Sequence, residues 1–430
     1  MSNTIVKIYN KIYDNDLFQN GSLTLLLFFV GLVNSRRHLS ILKIPFINRI
    51  ILIIFAALLA VNLFIIVINH FRYKELYYKI GINKYWQPLI IIILVKYLIL
   101  FLQVTYTIIT HKLTIDNLIA DYPIYWHVVN MIRIIVNFTI IFILISRIDN
   151  FSKLNSSIGA FGLGCLIAPV LGFIFFPNLI GKRISDVNGV YFAGSFWNAS
   201  VIAFVSSAWL LIGNICNNQN KLKKYIYLLM AMTMFVGGIA GLSRAIVVSG
   251  VVSLLVYIIC LRDIKKILKI IALLLIFILV VQLQFGIIFE NFKARLKSIS
   301  GIRNEGRIKI WKDYLEDIND FFILGEPLEG YRIFSKIGQV PHSVLLSWWS
   351  QFGVFAAIAF IWLIWGIWKS ASDIYNLSIE QGAAVFAWLF AYLSLAMINE
   401  TGYKELPFYA AMGILFAWGN LAKSKFTTKI

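Results

Sequence analysis

The chain has 430 residues, of which 60% are hydrophobic and only 14% are charged. Its mean hydropathy of +0.81 excludes an ordinary soluble globular domain, which needs far less apolar surface. The formal net charge is +19. Much of this charge falls in short segments between apolar runs, where Lys and Arg set membrane orientation and contact anionic lipid. We therefore expect a membrane protein whose partners include lipids and do not include nucleic acid.

Continuous apolar runs of about 20 residues recur along the chain, which is typical of membrane-spanning helices rather than of barrel strands. The sequence therefore predicts an all-α integral membrane protein with roughly twelve transmembrane helices. The predicted spans are 17–34, 50–69, 88–110, 128–146, 158–176, 196–212, 225–241, 245–261, 267–283, 344–368, 383–398 and 406–421. The three cysteines lie in or beside these runs, without the spacing of a metal site or a disulfide.

Lys and Arg are unevenly distributed between alternate connections, which predicts the orientation of the helices. The basic connections follow the second, fourth, sixth and eighth spans, and the C-terminal tail is basic as well. These segments should be cytoplasmic, with both termini on that side. The first connection disagrees, because it places Arg36, Arg37, Lys43 and Arg49 outside.

One long hydrophilic stretch, 284–342, stands apart from the apolar pattern. It divides the chain into helices one to nine in 1–283, this loop, and helices ten to twelve with the tail in 343–430. The charge distribution predicts that the loop is non-cytoplasmic. Apolar residues recur every three or four positions from Arg307 to Phe322, which predicts an amphipathic helix on the bundle or the membrane surface. Such an insert is either a plain connector or the functional part of the protein.

Three arginines are candidates for binding a phosphate. Arg244 opens a predicted span after a short turn, and Arg303 and Arg307 precede the amphipathic helix. A guanidinium pairs bidentately with phosphate oxygens, and a helix N-terminus favours anions. The simpler alternatives are an Arg244 side chain that extends to the lipid interface and solvated charges at the other two positions.

His342 is the most specific single candidate. It follows Pro341 at the point where the long loop re-enters the membrane. A neutral imidazole there can act as a general base near pH 7, and the alternative is an interfacial histidine with a structural hydrogen bond. Lys96 and Arg133 lie within or near the ends of spans, and we interpret them as members of a polar cavity because intramembrane charge is commonly functional.

These features together resemble the bacterial O-antigen polymerase and O-antigen ligase superfamily. The resemblance covers about the second half of the chain, and a few segments carry it: Gly241-Leu-Ser-Arg244, Arg307-Ile-Lys-Ile-Trp311, Phe322-Ile-Leu-Gly325, Gly330-Tyr-Arg-Ile-Phe334 and Pro341-His-Ser-Val-Leu-Leu346 before Gln351-Phe-Gly353, with Asn198 at the start of a mid-chain span. The chain departs from the family at Ser343, where an Asn is common, and in a reduced glycine-rich run after the amphipathic helix.

Members of this superfamily are inverting glycosyltransferases of the C type, which act on the periplasmic face of the bacterial inner membrane with undecaprenyl diphosphate as the leaving group. The resemblance implies that Arg244 and Arg307 bind the donor diphosphate and that His342 deprotonates or orients the acceptor hydroxyl. It implies no metal and no other cofactor. The partners would be the lipid-linked oligosaccharide donor and acceptor, with a chain-length regulator as a further candidate. The candidate accessory residues are Arg303, Asn198, Glu400, Tyr403 and Arg133.

Three functions fit this interpretation. The leading one is an O-antigen polymerase, which joins lipid-linked repeat units. The second is an O-antigen ligase, which uses the same donor but transfers the glycan to lipid A–core. The third is a polysaccharide flippase, which has a similar number of spans; the long loop that ends at His342 argues against it, because a transporter is expected to place its charges along a central cavity.

Overall fold

The structure is a computed structural model that describes residues 16–33, 47–73, 83–111, 124–177, 198–216, 220–241, 243–265, 306–323, 341–398 and 405–427, together with positions 180, 268, 272, 286, 290 and 325. These residues form helices and no strand. Eight of the described helices are long and apolar enough to cross a membrane. The prediction of an all-α membrane protein is therefore confirmed.

The described helices follow one another along the chain. In chain order they are α1 (Asp16–Val33), α2 (Ile47–Tyr73), α3 (Asn83–His111), α4 (Ile124–Arg147), α5 (Phe151–Phe175), α6 (Asn198–Ile215), α7 (Lys221–Ala240), α8 (Arg244–Leu261), α9 (Gly306–Glu316), α10 (Ile318–Phe321), α11 (Val344–Phe352), α12 (Val354–Leu377), α13 (Ile379–Ile398) and α14 (Leu406–Thr427). The predicted span 267–283 lies almost wholly outside the described residues, and every other predicted span corresponds to at least one helix.

The predicted span 344–368 is wrong as a single helix. Gly353 has φ +84° and separates α11 from α12. An L-residue rarely adopts this backbone conformation, so the glycine permits the break. Only α12 is long enough to cross a membrane, whereas α11 is a nine-residue helix. Since most of its side chains are buried, α11 packs into the bundle instead of extending the span.

Contacts between helix ends show how the helices are directed. The hydroxyl of Tyr375 donates a hydrogen bond of 2.8 Å to the carbonyl of Cys260, which joins the ends of α12 and α8. Gly419, late in α14, packs against Ser370, late in α12. The helices α8, α12 and α14 therefore end on the same side of the bundle, which we call the Tyr375 end. They begin on the opposite side, the His342 end.

Helix α14 forms the centre of the bundle. Every residue from Leu406 to Gly419 is buried, and the helix packs against α12, α4, α5 and α1. The contact with α4 is close, because a Cβ added at Gly413 would lie 3.1 Å from the Cα of Ile141. Small residues allow such approaches between membrane helices. Between Leu406 and Gly419 the helix is therefore enclosed by protein.

Candidate functional site

His342 occupies an unusual backbone position at the start of α11. Its φ is +48°, in the left-handed region, where a residue with a Cβ is uncommon. Pro341 before it is buried. Ser343 after it is the N-cap of α11, and its hydroxyl accepts a hydrogen bond of 3.4 Å from the backbone N–H of Leu346. The imidazole is half-buried, and its position is set by this sharp entry into the helix.

The predicted amphipathic helix is confirmed, with a break at Asp317 that divides it into α9 and α10. It docks on the bundle: Ile310 and Tyr314 of α9 form a small apolar cluster with Leu346 of α11. Its charged residues Lys312 and Glu316 are exposed and form an ion pair of 3.6 Å. One face of the helix therefore covers α11, as its hydrophobic pattern predicts.

A hydrogen bond connects α9 directly to the entry of α11. The indole Nε1–H of Trp311 donates to the carbonyl of Pro341 at 2.6 Å. Arg307 lies four residues before Trp311 in the same helix, and positions i and i+4 of a helix share a face. The structure thus brings the helix that carries Arg307 next to the segment that carries His342.

A second attachment lies at the other end of α11. The carbonyl of Phe322 accepts hydrogen bonds from the backbone N–H of Val354 at 2.9 Å and from the indole of Trp349 at 3.1 Å. The rings of Phe322 and Trp349 are in edge-to-face contact. Gly325, with φ +64°, approaches the backbone of Gly353 so closely that a Cβ would clash. The described part of the segment 306–325 therefore contacts α11 at both of its ends.

Arg244 begins α8 at the His342 end. Its side chain is half-buried, and Ser243 before it is the N-cap of the helix. Helix α8 packs along α13 in the antiparallel direction, since the end of α8 contacts Tyr375, four residues before α13 begins. Helix α13 also contacts α11. Helix α8, which begins with Arg244, and helix α11, which follows His342, therefore both pack against α13.

Asn198 lies at the same end of the bundle. It is the exposed first residue of α6. At the other end of α6, Asn214 donates a hydrogen bond of 3.3 Å to the carbonyl of Asn155, near the start of α5. The ammonium of Lys425, late in α14, lies 5.3 Å from the ring centroid of Phe151, the first residue of α5. Helix α6 therefore ends at the Tyr375 end, and Asn198 is at the His342 end.

Arg133 is partly exposed and lies towards the His342 end of α4. Phe138 of α4 contacts Tyr409 near the start of α14, with ring centroids 5.4 Å apart. Arg133 is five residues, or roughly 7 Å of helix rise, further towards that end. Its level in the bundle is therefore near the start of α14. This position suits an interfacial charge better than a residue in the middle of the membrane.

Lys96 of α3 is the more deeply buried of the two cations assigned to a polar cavity, with only 8% of the residue exposed. Its neighbour Tyr97 contacts the ring of Phe352 at the end of α11, with centroids 5.8 Å apart. Lys96 is therefore near the level of the α11–α12 junction. Among the described residues, no hydrogen bond or ion pair involves its ammonium group.

The remaining candidates lie outside the described part of the chain. Arg303, Glu400 and Tyr403 are among these residues, and so is the side chain of Arg307. The sequence did not predict the hydrogen bonds of Trp311 and Trp349 or the close approach of Gly325 to Gly353. Trp311 lies one helical turn after Arg307, and this spacing is the signal that would have identified it. Nothing in the local sequence identifies the partners of Trp349 and Gly325, because they belong to another helix.

The described residues contain no group of three or more His, Cys, Asp or Glu side chains that could hold a metal ion. In comparisons with known proteins, no family model matches this chain and no curated protein matches it. The family resemblance therefore remains a prediction from the sequence motifs.

Proposed function

We propose that this protein is an O-antigen polymerase of the bacterial inner membrane. It would transfer a growing glycan from one undecaprenyl diphosphate carrier to the sugar of another lipid-linked repeat unit, without a metal or another cofactor. The donor and acceptor are both lipid-linked oligosaccharides. A chain-length regulator is a candidate partner. The proposed topology has twelve spans, with both termini in the cytoplasm and the 284–342 loop in the periplasm.

One observation carries the proposal: α9 is bonded to the entry of α11 through Trp311 and Pro341. Because of this contact, the motif that ends at Trp311 and the motif that begins at Pro341 lie side by side, although these two residues are 30 positions apart in sequence. Arg307 precedes Trp311 by one helical turn, and His342 follows Pro341 directly. Arg244 begins a helix at the same end of the bundle. This is the arrangement that a cationic diphosphate site beside a base requires.

The chemistry follows from the charges. The acceptor hydroxyl oxygen attacks the anomeric carbon of the donor sugar while the bond between that carbon and the diphosphate oxygen breaks. His342 takes the hydroxyl proton, which increases the nucleophilicity of the oxygen. Negative charge develops on the leaving diphosphate, and the guanidinium groups of Arg244 and Arg307 stabilise it in the transition state. Attack from the face opposite the diphosphate inverts the anomeric configuration.

The proposal is tested by the glycan ladder of cells that lack this gene and carry either the wild-type gene or a variant. We expect the long ladder to return with wild type and with His70→Ala, a control histidine in α2. We expect His342→Ala, Arg244→Ala and Arg307→Ala to leave single repeats on lipid A–core. Membrane levels of each variant are measured by immunoblot.

Two results would contradict the polymerase assignment. Loss of all attached repeats, with polymer accumulating on undecaprenyl diphosphate, would indicate the ligase. A ladder that is unchanged by deletion of the gene would show that the protein does not assemble this glycan. A full ladder with His342→Ala would exclude the histidine as the base.

A further inference from the structure

We infer that Trp311 is a positioning residue for His342, and that it acts through the carbonyl of Pro341. This inference rests on the proposed function in one respect: it assumes that His342 is the base. The structural part of the inference, that the indole holds the backbone from which the imidazole extends, does not depend on which reaction is catalysed.

The first reason is the directness of the contact. The Nε1–O distance of 2.6 Å leaves no room for a water molecule between the indole and the carbonyl. Pro341 is buried, so its carbonyl is poorly placed to exchange this partner for water. A buried acceptor that loses its donor is destabilised, and the local backbone then shifts to find another.

The second reason is the conformation of the residue that follows. His342 has φ +48°, which costs an L-residue free energy and persists only where the surroundings impose it. On the C-terminal side, the Ser343 cap orients the chain into α11. On the N-terminal side, the ring of Pro341 restricts its own φ, and the Trp311 indole anchors its carbonyl. The left-handed residue is thus held between two fixed neighbours.

The third reason is that α9 is itself anchored. Ile310 and Tyr314 are buried against Leu346, so the Trp311 indole projects from a helix that is already docked on α11. A catalytic group that is misplaced by about 1 Å can lose two orders of magnitude in rate. The indole is therefore well placed to fix the distance between His342 and the helix that carries Arg307.

Two matched variants test this inference. Trp311→Phe keeps an aromatic ring but removes the N–H donor. Trp349→Phe removes the corresponding indole hydrogen bond at the other end of α11, where the acceptor is Phe322. Polymerisation is measured in membranes with defined lipid-linked repeat units. We expect Trp311→Phe to lower kcat roughly tenfold with little change in the KM for the acceptor, and Trp349→Phe to have a much smaller effect.

A second readout does not require activity. The chain has five histidines, so the imidazole signals of histidine-labelled protein in nanodiscs can be resolved by NMR, and His342→Ala identifies the His342 signal. We expect Trp311→Phe to shift this signal, and Trp349→Phe to leave it unchanged. If the signal shifts but no variant or wild type polymerises, the proposed function fails and the positioning role stands. If wild type polymerises and Trp311→Phe changes neither kcat nor the signal, the positioning role fails.

A measurement on the unmodified protein covers the case in which Trp311→Phe does not accumulate. The indole N–H of Trp311 should exchange with deuterium much more slowly than the indole N–H of a free tryptophan amide in the same buffer, because a hydrogen bond to a buried carbonyl protects its donor. Exchange of the Trp311 indole at the rate of the free amide would overturn the inference.

Discussion

At the scale of single residues, two positions would be unfavourable in a protein selected for stability alone. His342 adopts a left-handed backbone conformation, and Lys96 places a cation in a nearly buried position of α3. Strained and buried charged residues commonly mark functional sites, because function retains what stability disfavours. His342 has a proposed role in the reaction, whereas for Lys96 only its buried location indicates a function.

Replacement of Lys96 separates its effect on stability from its effect on activity. A charge at the centre of a membrane helix costs on the order of 2.5–3.5 kcal/mol, so we expect Lys96→Met to raise the midpoint of thermal unfolding. If Lys96 contributes a cation to the diphosphate site, the same variant should reduce polymerisation in membranes. Unfolding is followed in detergent by intrinsic fluorescence. A lower midpoint would indicate that the ammonium group has a stabilising partner, and Lys153→Met, at a surface ion pair, is the control.

At the scale of elements, the sequence pattern determines that α9 is a helix, and tertiary contacts determine where this helix lies. The apolar spacing of this segment predicts an amphipathic helix, and the helix is present from Gly306 to Glu316. The pattern leaves open whether that helix lies on lipid or on protein. The helix lies on protein, because Ile310 and Tyr314 pack against Leu346 of α11. Trp311 donates a hydrogen bond to Pro341, just before α11.

The packing of α1 provides a test at the same scale. Gly31 of α1 and Gly164 of α5 bring the two backbones into contact, and a Cβ added at Gly31 would lie 2.6 Å from the backbone nitrogen of Cys165. We expect Gly31→Ala to separate the helices and destabilise the protein by about 1–3 kcal/mol. The matched control is Gly21→Ala in the same helix, where nothing lies within 4 Å of the added methyl group.

The control should be neutral or slightly stabilising, because alanine is the better helix former by roughly 0.5–1 kcal/mol. Thermal unfolding of both variants in the same detergent gives the comparison. Equal midpoints for Gly31→Ala and Gly21→Ala would show that α1 does not pack closely on α5.

At the scale of the whole molecule, the bundle has two distinguishable ends. Arg244, Asn198 and the entry of α11 lie at the His342 end, whereas Tyr375, Cys260 and the starts of α5 and α13 lie at the opposite end. The connections of the Tyr375 end are rich in Lys and Arg in sequence, which predicts that this end is cytoplasmic. The proposed active site would then face the periplasm, as the proposed function requires.

Cysteine accessibility in whole cells tests this orientation. In a background that lacks the three native cysteines, Asn198→Cys and Asp149→Cys introduce thiols at exposed positions of the two ends. We expect a membrane-impermeant maleimide to label Asn198→Cys in cells whose outer membrane alone is permeable. Asp149→Cys should react only after the inner membrane is opened. The reverse result would place the proposed site in the cytoplasm and exclude the periplasmic reaction.

The sequence by itself determined that the protein is a helical membrane protein, where most of its spans lie, and that an amphipathic helix precedes His342. These follow from composition and periodicity, which act through the local chain and the lipid around it. It also singled out His342 and Arg244 as candidates, because a charged or titratable residue at the edge of an apolar run is conspicuous.

Only the tertiary structure decided that α11 is separated from α12, that α9 is fastened to it by Trp311, and that Phe322 and Gly325 hold its other end. A continuous apolar run from Val344 onwards reads as one span, since hydropathy alone does not distinguish burial in protein from burial in lipid. The break at Gly353 and the contacts of Trp311 depend on which side chains face each other across distant parts of the chain. That information arises only when the helices pack.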